Sequence, residues 1–439
     1  MARIALVGAG SVEFTRNLLA DFFSYPELRD VEVALHDIDP DRLATAERMA
    51  SWMASALGAT PTVRTYLDRR EALRGADFVI NTIQVGGARA TQLDFDVPGR
   101  YGLRYTINDT INVGGVFRGL RTIPVVLGIA ADMAEICPDA LLLNYTNPMA
   151  MLVRAVDEFV GTPTVGLCHS VYWTVNTLAG YLGVPFAEVA AESAGVNHLA
   201  WVTRLEHKGV DLYPALRAFV EGGGVPDDDL VRADLFRRFG RYPTESSEHH
   251  AEYNPWFIPK GDLVERFHVP IGEYLDRVAH NLEAFTDTKR RLAAGEPFEI
   301  EQSGEYAAVI VHSMVTGKPA RIVANVPNDG GRLIPNLAAD ACVEVPALVD
   351  ALGVHPTTVD PLPPHCAAYT RPAVDAQELT VRAALDEDRE LVYHAVLTDP
   401  QVQARLTLDE AWRLTDELIA AEGEWLPGWL GGNAPNQMP

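Results

Sequence analysis

Short apolar runs alternate with stretches of helical spacing along the N-terminal half of the chain. Residues 3–8 (Arg-Ile-Ala-Leu-Val-Gly) predict a buried strand, and residues 13–24 a helix. Residues 31–36 (Val-Glu-Val-Ala-Leu-His) predict a second strand that ends at Asp37. Over 39–57, Leu43, Ala46, Met49, Ala50, Met53 and Leu57 recur at helical spacing. Further apolar runs at 77–83, 139–143 and 163–167 predict strands, and each gives way to residues with chemistry: Asn81 and Thr82, Asn144, Cys168. Strands alternating with helices form a parallel sheet through right-handed crossovers. The carboxyl edge of such a sheet is where ligands bind.

The second half reads differently. Residues 221–229, rich in glycine and aspartate, predict an exposed loop. A helix is expected over 271–294, strands over 321–326 and 342–349, and a helical tail over 376–422 anchored by Leu379, Ala383, Leu391, Ala395, Leu406, Leu414 and Leu418. The expected fold class is therefore α/β: a Rossmann-like parallel-sheet domain over 1–195, then a larger mixed α/β substrate and oligomerisation domain over 196–439. No internal repeat is visible.

Composition narrows the function. With 439 residues, 48% hydrophobic and 22% charged, the chain can bury a full core. No run of about 18 apolar residues predicts a membrane span. The start of the chain is too short in apolar residues for a secretion signal core of about 7–15, so a cytoplasmic protein is expected. The net charge is −24, from 36 basic and 60 acidic residues. Such a surface repels phosphate backbones and anionic lipid, which argues against nucleic-acid and membrane partners. Cys137, Cys168, Cys342 and Cys366 form no CxxC pair. No disulfide framework is expected, and three of the four read as packing residues.

Gly8-Ala9-Gly10 follows the first strand and opens a helix, the context in which glycines cradle a pyrophosphate. Gly8 permits the tight turn and Gly10 lets the backbone approach the phosphates; Glu13 stands where a third glycine is usual. Asp37 ends the second strand, where a carboxylate binds the ribose hydroxyls of NAD and repels the extra phosphate of NADP. As a helix cap, the alternative role, Asp39 before Pro40 fits better. Ser11, Asn81 and Thr82 complete the expected NAD-binding set.

Three segments carry further chemistry. Asn144-Tyr-Thr-Asn-Pro148 places amides where sugar hydroxyls can be read, although Asn-Pro is also a turn signal. Gly166-Leu-Cys-His-Ser170 and Gly195-Val-Asn-His198 each offer a metal donor. The Cys168 thiolate and the His198 imidazole could hold a borderline divalent ion such as manganese, with substrate oxygens completing the shell. Two protein ligands are too few for a closed structural zinc site. The alternative is a buried thiol and a hydrogen-bonded core histidine. Asp109, in a polar loop, could touch metal or sugar. Arg118 reads as a sugar contact or, with Arg121, as a brace for the loop beside Gly114 and Gly115.

The chain resembles glycoside hydrolase family 4, in its melibiase-type α-galactosidase form. The resemblance rests on Ile4-Ala-Leu-Val-Gly-Ala-Gly-Ser11, Gly114-Gly-Val-Phe-Arg-Gly-Leu-Arg-Thr-Ile-Pro124, Leu143-Asn-Tyr-Thr-Asn-Pro-Met-Ala150, Val165-Gly-Leu-Cys-His-Ser-Val171, Ala194-Gly-Val-Asn-His198, Thr244-Glu-Ser-Ser-Glu-His249, Cys342-Val-Glu-Val-Pro-Ala-Leu-Val-Asp350 and Trp425-Leu-Pro-Gly-Trp-Leu430. It implies a lactate/malate dehydrogenase-like fold with a larger second domain. It implies NAD, and Mn2+ or another divalent metal held by Cys168 and His198. It also implies cleavage by oxidation at the sugar's C3, loss of the C2 proton, elimination, water addition and re-reduction, outside the usual two-carboxylate scheme.

By the same resemblance, His169 is the acid for the leaving group, and Asn147 binds sugar. The C2 base lies within 244–253, among Glu245, Glu248, His249 and Tyr253, with Glu248 favoured. No basic cluster is evident for a 6-phosphate, so the implied partner is an unphosphorylated α-galactoside, with α-glucosides or uronides as alternatives. A homodimer or homotetramer is expected. An NAD-dependent hydroxy-acid dehydrogenase and a non-catalytic NAD or sugar sensor are the competing functions.

Overall fold

The computed structural model describes residues 1–433. Its core is one mixed sheet. Six parallel strands form half of it: β1 (Arg3–Val7), β2 (Glu32–His36), β3 (Thr62–Tyr66), β4 (Phe78–Asn81), β5 (Leu141–Asn144) and β6 (Thr164–Gly166). Their order is β6-β5-β4-β1-β2-β3, the Rossmann-like arrangement expected. Ile4, Ala5, Leu6 and Val7 are all buried because helices cover both faces of the sheet, which is why β1 reads as a continuous apolar run.

Seven more strands extend the sheet: β7 (Val189–Val196), β8 (Leu199–His207), β9 (Val210–Asp211), β10 (Tyr242–Pro243), β11 (Ala320–Pro327), β12 (Cys342–Asp350) and β13 (Gly353–Pro356). The path runs β10-β8-β7-β12-β11 and joins the parallel half where Asn325 of β11 pairs with Gly166 of β6. All pairings in this part are antiparallel. The β7–β8 hairpin carries His198 at its turn, so the antiparallel part of the sheet supplies its imidazole.

Local signals account for the helices. Asp39 caps the helix Pro40–Leu57, accepting from the amides of Asp41 (2.8 Å) and Arg42 (3.1 Å), and left-handed Gly58 closes it. The helix Val113–Ile136 is long and apolar enough to cross a membrane, yet it lies almost wholly inside the core. The helix expected over 271–294 spans Glu273–Ala294, and the tail forms helices Pro364–Leu385, Arg389–Leu397, Pro400–Arg405 and Leu408–Ala421. All four cysteines are free and buried.

One expectation needs correction. The 221–229 segment is not exposed throughout, because Asp229 is buried and accepts hydrogen bonds from Tyr181 (2.7 Å), Tyr242 (2.6 Å) and Arg232. A carboxylate with that many donors can leave water without a large penalty.

Candidate active site

The dinucleotide cradle sits on β1, β2 and β4. Gly8 has φ 92°, and a Cβ there would come within 2.9 Å of the Ile83 nitrogen. A Cβ on Gly10 would lie 2.6 Å from Asp37 Oδ2. Both positions therefore need glycine. The Gly10 amide donates to Asp37 Oδ2 at 2.7 Å, which holds the carboxylate at the turn. Ser11 occupies the N-cap of the helix Val12–Ser24 without capping it with its side chain, and Thr82 donates to the Gly8 carbonyl (3.0 Å). Asn81 stands apart from these. It is fully buried, and its amide is spent on Asn144 Oδ1 (2.8 Å) and Thr146 (3.3 Å), tying β4 to β5.

Beside the cradle, buried Asp109, His198 and His249 bring one ligand atom each within 4.8 Å of one another. Thr110 fixes the chemistry of His198. Its hydroxyl donates to Asp109 Oδ1 (2.6 Å), so toward His198 Nδ1 (2.8 Å) it accepts. That assigns the proton to Nδ1 and leaves a lone pair on Nε2, the arrangement a ligating histidine needs. Burial, followed by the neighbouring His249, lowers the His198 pKa to about 4, so this ring is neutral.

His249 is held the other way. Its Nδ1 faces Glu245 Oε2 (3.0 Å) and Ser246 (3.0 Å), while Nε2 is buried without a partner, 3.9 Å from Asp109 Oδ1. Burial opposes its charge, but the Glu245 carboxylate outweighs it and pushes the pKa up to about 9. The neutral His198 nitrogen and the Asp109 carboxylate suit a borderline divalent ion, and such an ion would bind at the orphaned His249 Nε2 by displacing its proton.

Cys168 lies outside this group. It is buried against Met149, Ala150, Val153 and Cys342, and burial, with the charges of Glu344 and Glu245, raises its thiol pKa. The structure thus gathers His198 with Asp109 and His249, neighbours that its sequence spacing did not suggest.

The remaining expected residues divide. Asn147 donates to Asp109 Oδ2 (3.1 Å), and its own Oδ1 is buried without a partner. Arg118 reaches the Asn147 carbonyl (3.2 Å), the Tyr274 hydroxyl (2.8 Å) and Asp109 Oδ2 (3.6 Å), so these three form one polar wall. Arg121 turns away into a buried pair of carboxylates, Asp94 and Glu422. His169 is half-buried at the start of the helix Ser170–Leu182, its Nδ1 2.9 Å from Glu305. Burial works against its charge, yet Glu305 raises the pKa overall. The Tyr253 hydroxyl is buried without a partner, and its ring packs on His249 with centroids 5.7 Å apart.

Glu248 makes no side-chain hydrogen bond or ion pair to the group among the described residues; its backbone carbonyl accepts from Thr106. Glu245 is the carboxylate between the two histidines, 4.0 Å from His198 Nε2. A signal for this lies in the sequence. Ser246 is the N-cap of the helix Ser247–Glu252, which puts Glu245 before the helix, where its backbone adopts φ 70°, and Glu248 on the first turn. Sequence reasoning also missed Thr110, Glu252, Tyr274 and Arg232. Glu252 is wholly buried and accepts from the amides of Thr106 (2.9 Å), Ile107 (3.1 Å) and Asn108 (3.0 Å), which shapes the loop that carries Asp109.

Residues 3–184 match the family model for family 4 glycosyl hydrolases, and residues 193–402 match the C-terminal domain model of the same family. An α-galactosidase of Bacillus subtilis (strain 168) is 40% identical over 431 residues, covering 97% of this chain and 99% of the relative. A solved 6-phospho-α-glucosidase from gut microorganisms, in complex with NAD and Mn2+, superposes with a TM-score of 0.83 at 19% identity, covering 97% of this chain and 99% of the other. Malate dehydrogenase from Plasmodium falciparum shares the fold more distantly, with a TM-score of 0.51 at 14% identity over 89% of this chain and all of the other.

Proposed function

The chain belongs to glycosyl hydrolase family 4, and on that premise we propose that it hydrolyses unphosphorylated α-galactosides with the help of NAD and a divalent metal. The observation that carries the reading is the buried Asp109–His198–His249 group, walled by Asn147 and Arg118, beside a glycine cradle that ends on a carboxylate. The identity to an α-galactosidase along nearly the whole chain supports galactose as the sugar.

NAD, held by Gly8, Gly10, Ser11, Asp37 and Thr82, would supply reversible hydride transfer, and a divalent ion such as Mn2+, held by His198 with Asp109, His249 or Cys168, would supply Lewis acidity. The chain's own residues do the rest. Asn147 and Arg118 orient ring hydroxyls against Asp109. His169, whose proton the Glu305 carboxylate favours, would hold a proton for the departing oxygen, and its half-exposed position suits the mouth of a cleft. The proton acceptor for C2 comes from the 244–253 segment, where the Glu245 carboxylate and the partnerless Tyr253 hydroxyl converge. Exposed Ile38 after Asp37 offers an apolar face for a flat base.

The test is a panel of nitrophenyl glycosides assayed with NAD+ and Mn2+. The α-galactoside should be cleaved fastest. A uronide or a 6-phosphorylated glycoside cleaved faster would overturn the substrate assignment. Exchange of the C2 hydrogen with deuterated solvent in Glu245→Gln and Tyr253→Phe identifies the acceptor, because the acceptor's variant should lose exchange.

A further inference from the structure

The helix Glu273–Ala294 starts against the site. The Gly272 amide donates to the Tyr105 carbonyl (2.8 Å) and the Tyr274 amide to the Thr106 carbonyl (3.0 Å), on the strand of chain that leads to Asp109. The Tyr274 hydroxyl meets Arg118 at 2.8 Å. Three residues on, Arg277 shares the Tyr274 face of the helix. Its guanidinium donates twice to Glu273 Oε1, at 3.1 and 2.6 Å. Burial lowers its pKa, but Glu273 and, beyond it, the charges of Glu245 and Asp109 raise it overall, so Arg277 feels the site's carboxylates.

An ordinary ion pair one helical turn apart accounts for the bond between Glu273 and Arg277. It does not account for Glu273 Oε2, which is buried and has no partner, directly before the tyrosine that braces Arg118. That oxygen is an acceptor waiting for a donor.

We propose that Glu273, with Arg277 as its counter-ion, selects the substrate by the charge of its exocyclic carbon. A neutral hexoside presents a CH2OH group, whose hydroxyl can donate to Glu273 Oε2. A uronate or a 6-phosphate presents only acceptors and negative charge, which that oxygen repels. Arg277 would otherwise be a receptor for such an anion, and Glu273 cancels it. The inference rests on the α-galactosidase reading and names what enforces it.

The experiment compares the wild type, Glu273→Gln and Arg277→Gln, each with NAD+ and Mn2+ present. The measured quantity is the ratio of kcat/KM for nitrophenyl α-galacturonide to that for the α-galactoside. Glu273 is part-exposed, so through an effective dielectric of about 60 one unit charge about 4 Å away changes an equilibrium about tenfold. Glu273→Gln should therefore raise the ratio about tenfold, and Arg277→Gln, which leaves the carboxylate uncompensated, should lower it. A ratio within threefold of wild type in Glu273→Gln, or a shift of the same sign in both variants, overturns the proposal. Calorimetric binding of free galactose and galacturonate separates the two readings. If the wild type cleaves no α-galactoside, the functional assignment falls, while the binding ratios still decide the selector.

Discussion

Arg232→Met is the perturbation that best tests how the site is held. Arg232 is buried. It pairs with Asp229, donates to Thr174 (3.1 Å) and hydrogen-bonds the Glu245 carbonyl. Glu245 has φ 70°, a left-handed conformation that costs a non-glycine residue about 1 kcal/mol or more and persists only where its surroundings enforce it. Removing the guanidinium leaves the Asp229 carboxylate buried and unpaired, a loss of about 3–5 kcal/mol. Unfolding entropy of about 2.1 cal/mol/K per residue, over the whole chain, comes to about 0.9 kcal/mol/K, so Tm should fall by about 3–5 °C. Activity should fall further than stability, because a shift of about 1 Å in a reacting group costs about 100-fold in rate. Adding Asp229→Asn separates the effects. The double variant loses the stranded charge and should recover most of the Tm, yet the Glu245 carbonyl still lacks its anchor and kcat should stay low. Thermal melts and steady-state kinetics on the three proteins give both readouts. If kcat in Arg232→Met stays within threefold of wild type, or returns with Tm in the double variant, the clamp is not what positions Glu245.

Three further outcomes are expected. Gly10→Ala places a methyl 2.6 Å from both Asp37 Oδ2 and the Arg42 Cβ and should weaken NAD binding at least tenfold by calorimetry; an unchanged Kd would put the dinucleotide elsewhere. Asp109→Asn should reduce Mn2+ affinity by roughly 10–100-fold, whereas a loss confined to Cys168→Ser would move the ion to the thiolate. In the metal-free protein, His249 has its pKa raised from 6.5 to about 9. Its contribution is therefore fully present below pH 6.5 and is lost as pH rises through 9, by about 3 kcal/mol in order of magnitude. Urea unfolding of chelator-treated protein between pH 6 and 10 should show that decline, and Glu245→Gln should remove most of it.

What the sequence reveals follows from where the determining contacts lie. β1 and the two helices after it are legible because their apolar periodicity answers to local burial. The separation of Asp37 from the capping Asp39 is legible because Pro40 marks the helix start. The antiparallel extension is not, since it joins the parallel half through a pairing between Asn325 and Gly166, with nothing in either neighbourhood to announce it. Arg118 and Arg121 make the same point within one helix. Both are buried, but Arg118 faces Asp109 and Arg121 faces Asp94 and Glu422, the last 301 residues away. Local pattern says that both are enclosed and cannot say toward what. The capping serine at 246 does distinguish the two glutamates by place, with Glu245 before the helix and Glu248 on its first turn.

The backbone adds a last constraint. Asn108 (φ 57°), His198 (φ 61°) and Glu245 (φ 70°) all adopt left-handed conformations, and each is, or directly precedes, a side chain of the site. Each is also held by a partner from another segment: Asn108 by the Glu252 carboxylate, the His198 ring by Thr110, and Glu245 by Arg232. Two of these three anchors join residues 108–110 to segments at least 88 residues further along the chain. The Asp109–His198–His249 group is therefore assembled by long-range contacts, whereas the glycine cradle is built at the ends of β1, β2 and β4. Strain of this kind survives only while every anchor holds. Loss of one anchor should disorder the sugar chemistry first and leave the cradle standing, so dinucleotide binding and glycoside cleavage are separable by mutation even though they share one sheet edge.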